Sequence, residues 1–438
     1  MRRQILHVLF PLSGFAAQNI TLPAGTVEVH EEIRLPPGAR DVEVRGAPEG
    51  TLLRAAPDFR GRAIIVVAGG VNVRLRGFRI DGNREALSRP AGLPPYDQPF
   101  ARFYSGNGIL AEGVGNLQIE DVRFEQIAGF AVLVSRSNGV RIERAEVADS
   151  GSRNAQGRNN TTGGILLEEG TFRFSVTRSS FRNILGNGVW THSLYTSPRN
   201  EVGEIWENRF DTIGRDAIQV GHAARVRVTA NRGVRIGFPT EAVDAEGGGT
   251  PVAIDTAGNV DSSVYADNVF EEVNGKCIDL DGFHHGEVSG NVCRNRGRPE
   301  DYPFGHFGIV MNNTNPDMQS VGITIARNEI EGMKFGGIFV IGAGHRITGN
   351  RLLRLNTAHC NENAAKFGCA HFAGEPDLLQ AGIYLGRRAE RPAATRANVI
   401  EANVITGWKM DRRCVAAAPG VKMEENRVRG NQCRHAAD

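Results

Sequence analysis

The chain has 438 residues, of which 40% are hydrophobic and 54 are glycine, and its formal net charge is +2. This composition allows a long buried core and gives no sign of a basic nucleic-acid-binding surface or an acidic tail. We therefore expect a glycine-rich globular protein that binds neither nucleic acid nor membrane.

The N-terminus has the pattern of an export signal. Arg2 and Arg3 precede an apolar stretch, Ile5 to Phe10, and small residues follow as far as Ala17. This order predicts a signal peptide over residues 1–18 and a secreted or periplasmic protein. The alternative is a first strand or cap segment. No later apolar run in the sequence has the length of a membrane span.

Residues 19–60, which include Leu22-Pro23-Ala24-Gly25-Thr26, are expected to form an N-terminal cap with entry strands. Residues 61–438 then repeat a short phrase: a small residue followed by apolar, any and apolar residues, as in Gly308-Ile309-Val310-Met311. Later in each repeat an asparagine stands two residues before an apolar position. These asparagines are Asn208, Asn231, Asn268, Asn291, Asn328, Asn350, Asn403 and Asn426.

Neighbouring asparagines such as Asn268 and Asn291 are 23 residues apart, and longer spacings contain insertions. A unit of this length with short alternating apolar runs and no helical periodicity indicates a repeat fold. The leucine framework of leucine-rich repeats is missing. Three short strands per coil fit better, with equivalent residues about 4.8 Å apart in successive coils. The repeated asparagine is then expected to form a hydrogen-bonded stack at one bend.

These features predict an all-β chain, a single right-handed parallel β-helix solenoid of about 10–12 coils with loop insertions on one face. The repeated phrase resembles the pectate-lyase-like superfamily of secreted β-helices, from about residue 20 to the C-terminus. Five insertions precede the first strand of a coil and should build a wall along one face. They span residues 87–106, 151–163, 237–251, 296–307 and 355–381.

Acidic residues concentrate on the outward side of the middle coils. Asp279 and Asp281 lie two apart on one strand, so their backbones should be about 7 Å apart on the same side. We expect Asp255 to stack on Asp281 at about 4.8 Å. The first spacing suits an inverting glycosidase and the second a retaining one, so the spacing leaves both outcomes open. The predicted catalytic residues are Asp255, Asp279 and Asp281, although a turn role would explain Asp255 and Asp281 equally simply.

Polar and aromatic side chains flank these carboxylates on the same predicted columns. Aromatic rings stack on sugar faces, and the histidines would bind substrate or act as a base, although a solvated turn explains His284 and His285 equally well. Tyr302 and His306 border the groove from an insertion. The predicted substrate-binding residues are Glu168, Trp190, His192, Gln219, His222, His284, His285, Asn312, Phe339 and Tyr384.

The carboxylate layout resembles that of polygalacturonase-like β-helix hydrolases. That family's Asn-Thr-Asp, Gly-His-Gly and Arg-Ile-Lys segments are missing in the expected order. The resemblance therefore implies a glycoside hydrolase acting on a polysaccharide or oligosaccharide, without naming the sugar. A second hypothesis is a polysaccharide lyase or uronate epimerase, in which the aspartates and Asn312 hold Ca²⁺ and a histidine or arginine removes the C5 proton. Lys276 and Arg294 lie near enough in sequence to be considered for that step. A third is a glycan-binding β-helix without activity. The leading hypothesis requires no cofactor or metal, and the sequence gives no indication of an oligomer.

The six cysteines suit an oxidising compartment and do not have zinc-site spacings. Cys360 and Cys369 bracket one insertion, and Cys414 and Cys433 lie in the C-terminal coils. We expect each pair to form a disulfide. Cys293 occupies a core position and is expected to be a free thiol.

Overall fold

The computed structural model describes residues 18–87, 95, 97–153, 159, 162–243, 250–313, 317–360, 362–367, 369 and 374–436. All of the predicted signal peptide except Gln18 lies outside these residues. The chain divides into two compact units, Met1–Arg215 (unit 1) and Asp216–Asp438 (unit 2), which are described separately below. None of the described helices is both long and apolar enough to cross a membrane.

Unit 1 consists of short strands joined by tight bends, with two short helices in one connection. In chain order its elements are β1 (Gln18–Thr21), β2 (Gly25–Val29), β3 (Ile33–Arg34), β4 (Arg40–Arg45), β5 (Thr51–Ala55), β6 (Ala63–Ala68), β7 (Val71–Arg76), β8 (Arg79–Asp81), α1 (Arg84–Leu87), α2 (Phe100–Phe103), β9 (Asn107–Glu112), β10 (Gly115–Glu120), β11 (Arg123–Glu125), β12 (Phe130–Ser135), β13 (Asn138–Glu143), β14 (Glu146–Ser150), β15 (Gly163–Glu168), β16 (Phe172–Thr177), β17 (Ser180–Ile184), β18 (Asn187–His192), β19 (Asn200–Trp206) and β20 (Arg209–Ile213).

Every third strand of unit 1 pairs in parallel with the equivalent strand of the next coil, which gives three faces. Face 1 contains β3, β6, β9, β12, β15 and β18. Face 2 runs from β1 through β4, β7, β10, β13 and β16 to β19, and face 3 from β2 through β5, β8, β11, β14 and β17 to β20. Strands from the region predicted as an N-terminal cap, residues 19–60, pair in the same way as the later coils.

Unit 2 has the same three-strand coil. In chain order its strands and α-helix are β21 (Ile218–Thr229), β22 (Arg232–Ile236), β23 (Val252–Asp261), β24 (Val264–Ala266), β25 (Val269–Val273), β26 (Lys276–Asp281), β27 (Phe283–His284), β28 (Glu287–Ser289), β29 (Val292–Arg294), β30 (Ile309–Asn312), β31 (Thr324–Ala326), β32 (Glu329–Glu331), β33 (Ile338–Val340), β34 (Arg346–Thr348), β35 (Arg351–Leu355), α3 (Ala364–Phe367), β36 (Ile383–Leu385), β37 (Val399–Glu401), β38 (Val404–Gly407), β39 (Val415–Ala417), β40 (Arg427–Arg429) and β41 (Gln432–His435). Short 3-10 helices span Thr240–Ala242, Pro299–Asp301 and Met423–Glu425.

In unit 2, face 1 contains β21, β23, β26, β30, β33, β36 and β39, all parallel. The end of β21 joins β24, β28, β31, β34, β37 and β40 in face 2. Face 3 contains β22, β25, β29, β32, β35, β38 and β41. The predicted fold class, an all-β right-handed parallel β-helix, is confirmed. In both units the predicted insertions connect face 3 to face 1.

The small residue of the repeated phrase is explained by close approach of successive coils. A side chain at Gly337 would place its Cβ 2.5 Å from the carbonyl oxygen of Gly382, and one at Gly164 would place its Cβ 2.2 Å from the carbonyl oxygen of Gly188, in each case on the next coil. Both distances are far below van der Waals contact. A larger residue at either position would therefore push neighbouring coils apart.

Buried asparagines form the expected stack at the bend between faces 2 and 3 of unit 2. Each side-chain amide donates to the amide oxygen one coil further along, at 2.8–3.0 Å. The stack contains Asn231, Asn268, Asn291, Asn328, Asn350, Asn403 and Asn431. The expectation that Asn426 is the last member of this stack was wrong. Its side-chain oxygen instead accepts a hydrogen bond from Asn398 in a separate stack.

The cysteine predictions are confirmed. Cys360 pairs with Cys369 and Cys414 with Cys433. Cys293 is a buried free thiol, and Cys277 is a second one. The two disulfides close one insertion of unit 2 and join its last coils.

Candidate functional site

The predicted site residues divide between the two units. Glu168, Trp190 and His192 belong to unit 1, where they lie on β15 and β18 of face 1. The other ten predicted residues belong to unit 2. The two groups are therefore treated as separate sites.

In unit 1 the insertion between β8 and β9, described over residues 97–106, covers the outward side of face 1. We refer to these residues as the covering segment. The segment includes α2, whose Phe100 ring packs edge-on against Trp190 with the ring centroids 5.0 Å apart. The indole is 8% exposed. The expectation that Trp190 is an open stacking surface for sugar was wrong, because the covering segment buries Trp190 and the outward side chains of face 1 beneath that segment. The buried cluster contains Ala63, Val66, Phe100, Ala101, Tyr104, Leu110, Phe130, Leu133, Leu166 and Trp190.

Glu168 holds this covering segment in place. Its two carboxylate oxygens accept hydrogen bonds from the backbone N–H groups of Phe100 and Ala101, at 2.8 and 2.9 Å. Burial raises the pKa of Glu168 to about 7, even though the two N–H donors oppose the rise. The side chain is fully buried, so the expected open contact of Glu168 with substrate is also wrong. His192 packs edge-on against Phe100 at 5.0 Å and is covered by the same segment.

In unit 2 the strand register changes the predicted pairing of the aspartates. Gln219 lies opposite Asp255, and Ile254 lies opposite Ile278. Asp255 is therefore the neighbour of Asp279. The expected stacking of Asp255 on Asp281 is wrong. A shift of two residues leaves every side chain on its original side, so alternation alone could not detect the error.

The neighbours on the other side follow the same register. Asp279 lies opposite Val310, and Asp281 lies opposite Asn312. Val310 in turn lies opposite Phe339. One column of face 1 thus passes from amide and carboxylate groups to apolar and aromatic groups within a few coils.

Lys276 is the cation of this carboxylate group. Its ammonium donates a hydrogen bond to Oδ2 of Asp279 in an ion pair between two mostly buried side chains. Burial opposes the charge, but Asp279, Asp255 and Asp281 together raise the pKa of Lys276 above its usual value. The three predicted catalytic aspartates therefore share the electrostatic environment of one lysine. We refer to Asp255, Asp279, Asp281 and Lys276 as the aspartate–lysine cluster.

Two carboxylates of the cluster have different surroundings. Asp255 is 8% exposed and accepts a hydrogen bond of 2.7 Å from the side-chain amide of Gln219. Asp279 is 6% exposed, and its Oδ1 is buried without a hydrogen-bond partner among the described residues. An unsatisfied buried carboxylate oxygen costs free energy, and a catalytic role is one explanation for keeping such an atom.

A cavity of about 460 Å³ opens on this part of unit 2. It extends the column on which Asp279 lies, since it is bounded by Val310 and Phe339. Residues of the insertions 296–307 and 355–381 and of the connection after β36 supply the rest of the wall. The lining residues are His306, Phe307, Val310, Phe339, Glu375, Leu378, Leu379, Arg387, Arg388 and Ala389.

His306 connects the cavity to the aspartate–lysine cluster. Burial and, to a smaller extent, the positive charges of Lys276 and Lys334 together lower the pKa of His306 to about 3. The imidazole is therefore neutral at physiological pH. Its Nδ1 is buried and has no hydrogen-bond partner within the described parts of the chain. The sequence marked His306 only as a residue at the border of the groove.

Phe339 and Tyr384 stack with nearly parallel rings, 6.1 Å apart. Phe339 is 8% exposed and lines the cavity, and its role as a sugar platform stays a prediction. Tyr384 is 1% exposed and its hydroxyl donates to Glu375 at 2.9 Å. The expectation of an open Tyr384 platform was wrong because the inserted wall covers it. The same carboxylate of Glu375 accepts from Arg387 at 2.9 Å, which fixes the wall.

The remaining predicted residues have diverse positions. Asn312 contacts the wall through Glu390, whose backbone N–H donates to it at 3.3 Å. His222 is 9% exposed and lies where the register of β21 against β23 shifts. His284 and His285 converge on Asp261 instead of on the cavity. Arg294, the alternative lyase residue, lies on face 3 in an ion pair with Glu329, so the structure does not bring it to the cluster.

No known protein-family profile matches the sequence, and no curated protein sequence matches it either. Solved structures do share its fold. The surface adhesin PfbA of Streptococcus pneumoniae has 14% sequence identity and a TM-score of 0.59 over 78% of this chain and 85% of its own. DFA-IIIase from Arthrobacter chlorophenolicus A6, in complex with GF2, has 12% identity and a TM-score of 0.53 over 94% of this chain and 87% of its own.

A third similar structure is the GH136 lacto-N-biosidase from Eubacterium ramulus, with 12% identity and a TM-score of 0.52. It covers 92% of this chain, whereas this chain spans only 62% of it. At these identities the likeness establishes the fold alone, which confirms the parallel β-helix that the resemblance implied.

Proposed function

We propose that the protein is a secreted or periplasmic glycoside hydrolase whose active site is the aspartate–lysine cluster of unit 2, with the adjoining cavity as the sugar-binding site. The observation that carries the proposal is the grouping of three aspartates around one buried lysine beside this cavity. Two of the three similar structures above are named as carbohydrate-processing enzymes, which supports the same class. Two disulfides suit an oxidising compartment.

Asp279 is the central residue of the proposed mechanism. Its Oδ2 is held by Lys276, which orients the carboxylate, and its Oδ1 has no partner among the described residues. That oxygen has no competing hydrogen bond there, and in the proposed reaction it activates water or attacks the anomeric carbon. Lys276 stays protonated, so it neutralises charge on the carboxylates and does not act as a base.

The second carboxyl group protonates the departing oxygen. Backbones at Asp255 and Asp279, on adjacent strands, are about 4.8 Å apart, whereas those at Asp279 and Asp281 are about 7 Å apart. The first pair suits a retaining reaction and the second an inverting one, which keeps a water between its carboxyls. The anomeric configuration of the first product, followed by proton NMR, identifies which pair is used.

A lyase or epimerase reaction is less well supported by the geometry. Lys276 has a raised pKa and would have to lose its proton before removing one from a sugar. Arg294 lies on another face of the unit. Neutral His306 is the remaining base, and its pKa of about 3 makes it a weak one.

A screen of neutral and acidic plant and microbial polysaccharides and oligosaccharides tests the proposal. New reducing ends without the ultraviolet absorbance of an unsaturated uronate are the expected result. That absorbance would indicate a lyase instead. Retention of a glycan on the protein without any turnover would contradict the hydrolase and favour a binding module.

A further inference from the structure

Three metal-ligating side chains of unit 2 converge outside the proposed active site. Asp261 ends β23, and its register partner on the next coil is His284 of β27, with His285 directly after it. Oδ1 of Asp261 lies 3.6 Å from Nε2 of His284 and 3.1 Å from Nδ1 of His285. One ligand atom of each residue lies within 4.8 Å of the others.

The backbone explains how two consecutive histidines reach one carboxylate. Successive side chains of a strand point to opposite sides. His285 has a φ of +49°, in the left-handed region, so the alternation is broken and its imidazole turns back towards Asp261. The two rings meet almost perpendicularly with their centroids 5.3 Å apart.

The hydrogen bond of His284 fixes which nitrogen faces the carboxylate. Its Nδ1 lies 3.0 Å from the carbonyl oxygen of Gly282, which can only accept, so Nδ1 carries the proton. In a neutral imidazole, Nε2 then presents a lone pair to Oδ1 of Asp261. Two acceptors facing each other repel unless a proton or a metal cation lies between them. A histidine that binds metal through one nitrogen and donates from the other to a backbone carbonyl has this arrangement.

The charge around Asp261 is also unusual for this chain. Among the described residues, its carboxylate has ion-pair partners only in the two imidazoles, with no lysine or arginine. Many other carboxylates here pair with arginine, as Glu43 does with Arg76. A bound cation would supply the positive charge that the imidazoles lack when they are neutral.

We propose that Asp261, His284 and His285 bind one divalent transition-metal ion of the Zn²⁺ class, which joins two adjacent coils. Two imidazole nitrogens and one carboxylate oxygen are ligands that Zn²⁺ and Co²⁺ prefer, whereas Ca²⁺ takes oxygen ligands. Bonds of about 2.1 Å in a tetrahedral site place ligand atoms about 3.4 Å apart. The two measured distances lie on either side of that value. Three protein ligands leave the fourth position to water.

The test uses the full mature chain after removal of metals with a chelator. Titration with ZnCl₂ is expected to give one strong site per chain by calorimetry, and CoCl₂ should produce visible absorbance typical of a tetrahedral N/O site. Thermal denaturation should move to higher temperature with added Zn²⁺, because the metal binds only the folded pair of coils. CaCl₂ should give none of these effects at the same concentrations. Absence of a one-to-one site, or equal binding of Ca²⁺, would overturn the proposal.

Variants locate the site. His284→Gln, His285→Asn and Asp261→Ala should each weaken Zn²⁺ binding at least about 100-fold, since even the loss of an outer-shell partner costs 10–100-fold. His30→Gln is the matched control, because His30 and Asp58 form a single histidine–aspartate pair at 2.9 Å without a second imidazole. Unchanged affinity in the first three variants would place the metal elsewhere and contradict the assignment.

A measurement on the unaltered protein removes any dependence on folding of the variants. Diethyl pyrocarbonate acylates accessible imidazole nitrogens, and mass spectrometry identifies the modified residues. Zn²⁺ should slow modification of His284 and His285 and leave His30 unaffected. If Zn²⁺ left the modification rates of His284, His285 and His30 unchanged, that result would also overturn the proposal. None of these readouts depends on hydrolase activity, so the metal site and the proposed function can fail independently.

Discussion

The buried carboxylate of Glu168 predicts a measurable pH dependence of stability in unit 1. The side chain is fully buried beneath the covering segment, and burial raises its pKa to about 7 from the ordinary 4.5. In the unfolded chain the carboxyl is in water and keeps the ordinary value. Below pH 4.5 both states are protonated, so the group costs nothing. Between pH 4.5 and 7 the unfolded state ionises first, and stability therefore falls as the pH rises.

The size of this effect follows from the two pKa values. One pKa unit corresponds to about 1.4 kcal/mol, so the free energy of unfolding should fall by about 3 kcal/mol between pH 4.5 and pH 8. Glu168→Gln removes the titration. It also disturbs the pair of N–H hydrogen bonds from Phe100 and Ala101, but that loss does not depend on pH. The stability of the variant relative to the wild type should therefore rise by about 3 kcal/mol across the same interval.

Urea unfolding followed by tryptophan fluorescence, at half-unit steps from pH 4.5 to pH 8, measures this difference. Glu112→Gln is the matched control. Glu112 is the face 1 residue two coils before Glu168, and its carboxylate pairs with Arg62 at the edge of the segment. A difference between Glu168→Gln and wild type that stays constant with pH would refute the argument. It would show that the carboxylate is solvated and that the segment does not cover face 1.

Further changes in unit 2 have defined outcomes. Lys276→Met leaves buried carboxylates without their cation and should cost about 3–5 kcal/mol at pH 8 by urea unfolding. Because the folded protein raises the pKa of Lys276, the advantage of wild type over this variant should shrink above about pH 10.5, where the lysine of the unfolded chain loses its proton before that of the folded protein. Asn291→Ala interrupts the buried amide stack and should cost about 2–4 kcal/mol, and a loss below about 0.5 kcal/mol would argue against the stack. Replacing Cys414 and Cys433 by serine should cost about 3 kcal/mol, as the loss of a disulfide across 19 residues does, and an unchanged thermal midpoint would contradict this.

The fold could be predicted from the sequence because the same physical constraint recurs in every coil. Positions such as Gly337 and Asn291 have identical neighbours one coil away, so one residue type satisfies all of them. The alternation of apolar and polar residues predicts which side chains point inward or outward, but it does not fix the register between neighbouring strands. The misplacement of Asp255 by two residues arose from that freedom, whereas Asn426 was mistaken for Asn431 because asparagines also pair at the bend before face 2.

The site was less predictable because insertions, which do not repeat, determine what is exposed. Trp190 and Tyr384 occupy outward positions as expected, yet each lies beneath an inserted segment. One sequence feature could have indicated that Lys276 pairs with Asp279. The lysine lies three residues before Asp279, at the start of a face 1 strand. No sequence feature indicated that His284 and His285 converge on Asp261. The convergence depends on the pairing of Asp261 with His284 and on the left-handed backbone of His285, which the sequence pattern does not reveal.

Turnover by Asp279→Asn, on whichever glycan the wild-type protein hydrolyses, tests the central claim most directly. Asp267→Asn is the control, an exposed aspartate at a bend of unit 2. Removing the carboxylate should lower kcat by at least about 100-fold while circular dichroism and the thermal midpoint show a folded protein, and the control should keep wild-type kcat. A folded Asp279→Asn protein with wild-type kcat would contradict the assignment of the aspartate–lysine cluster as the active site.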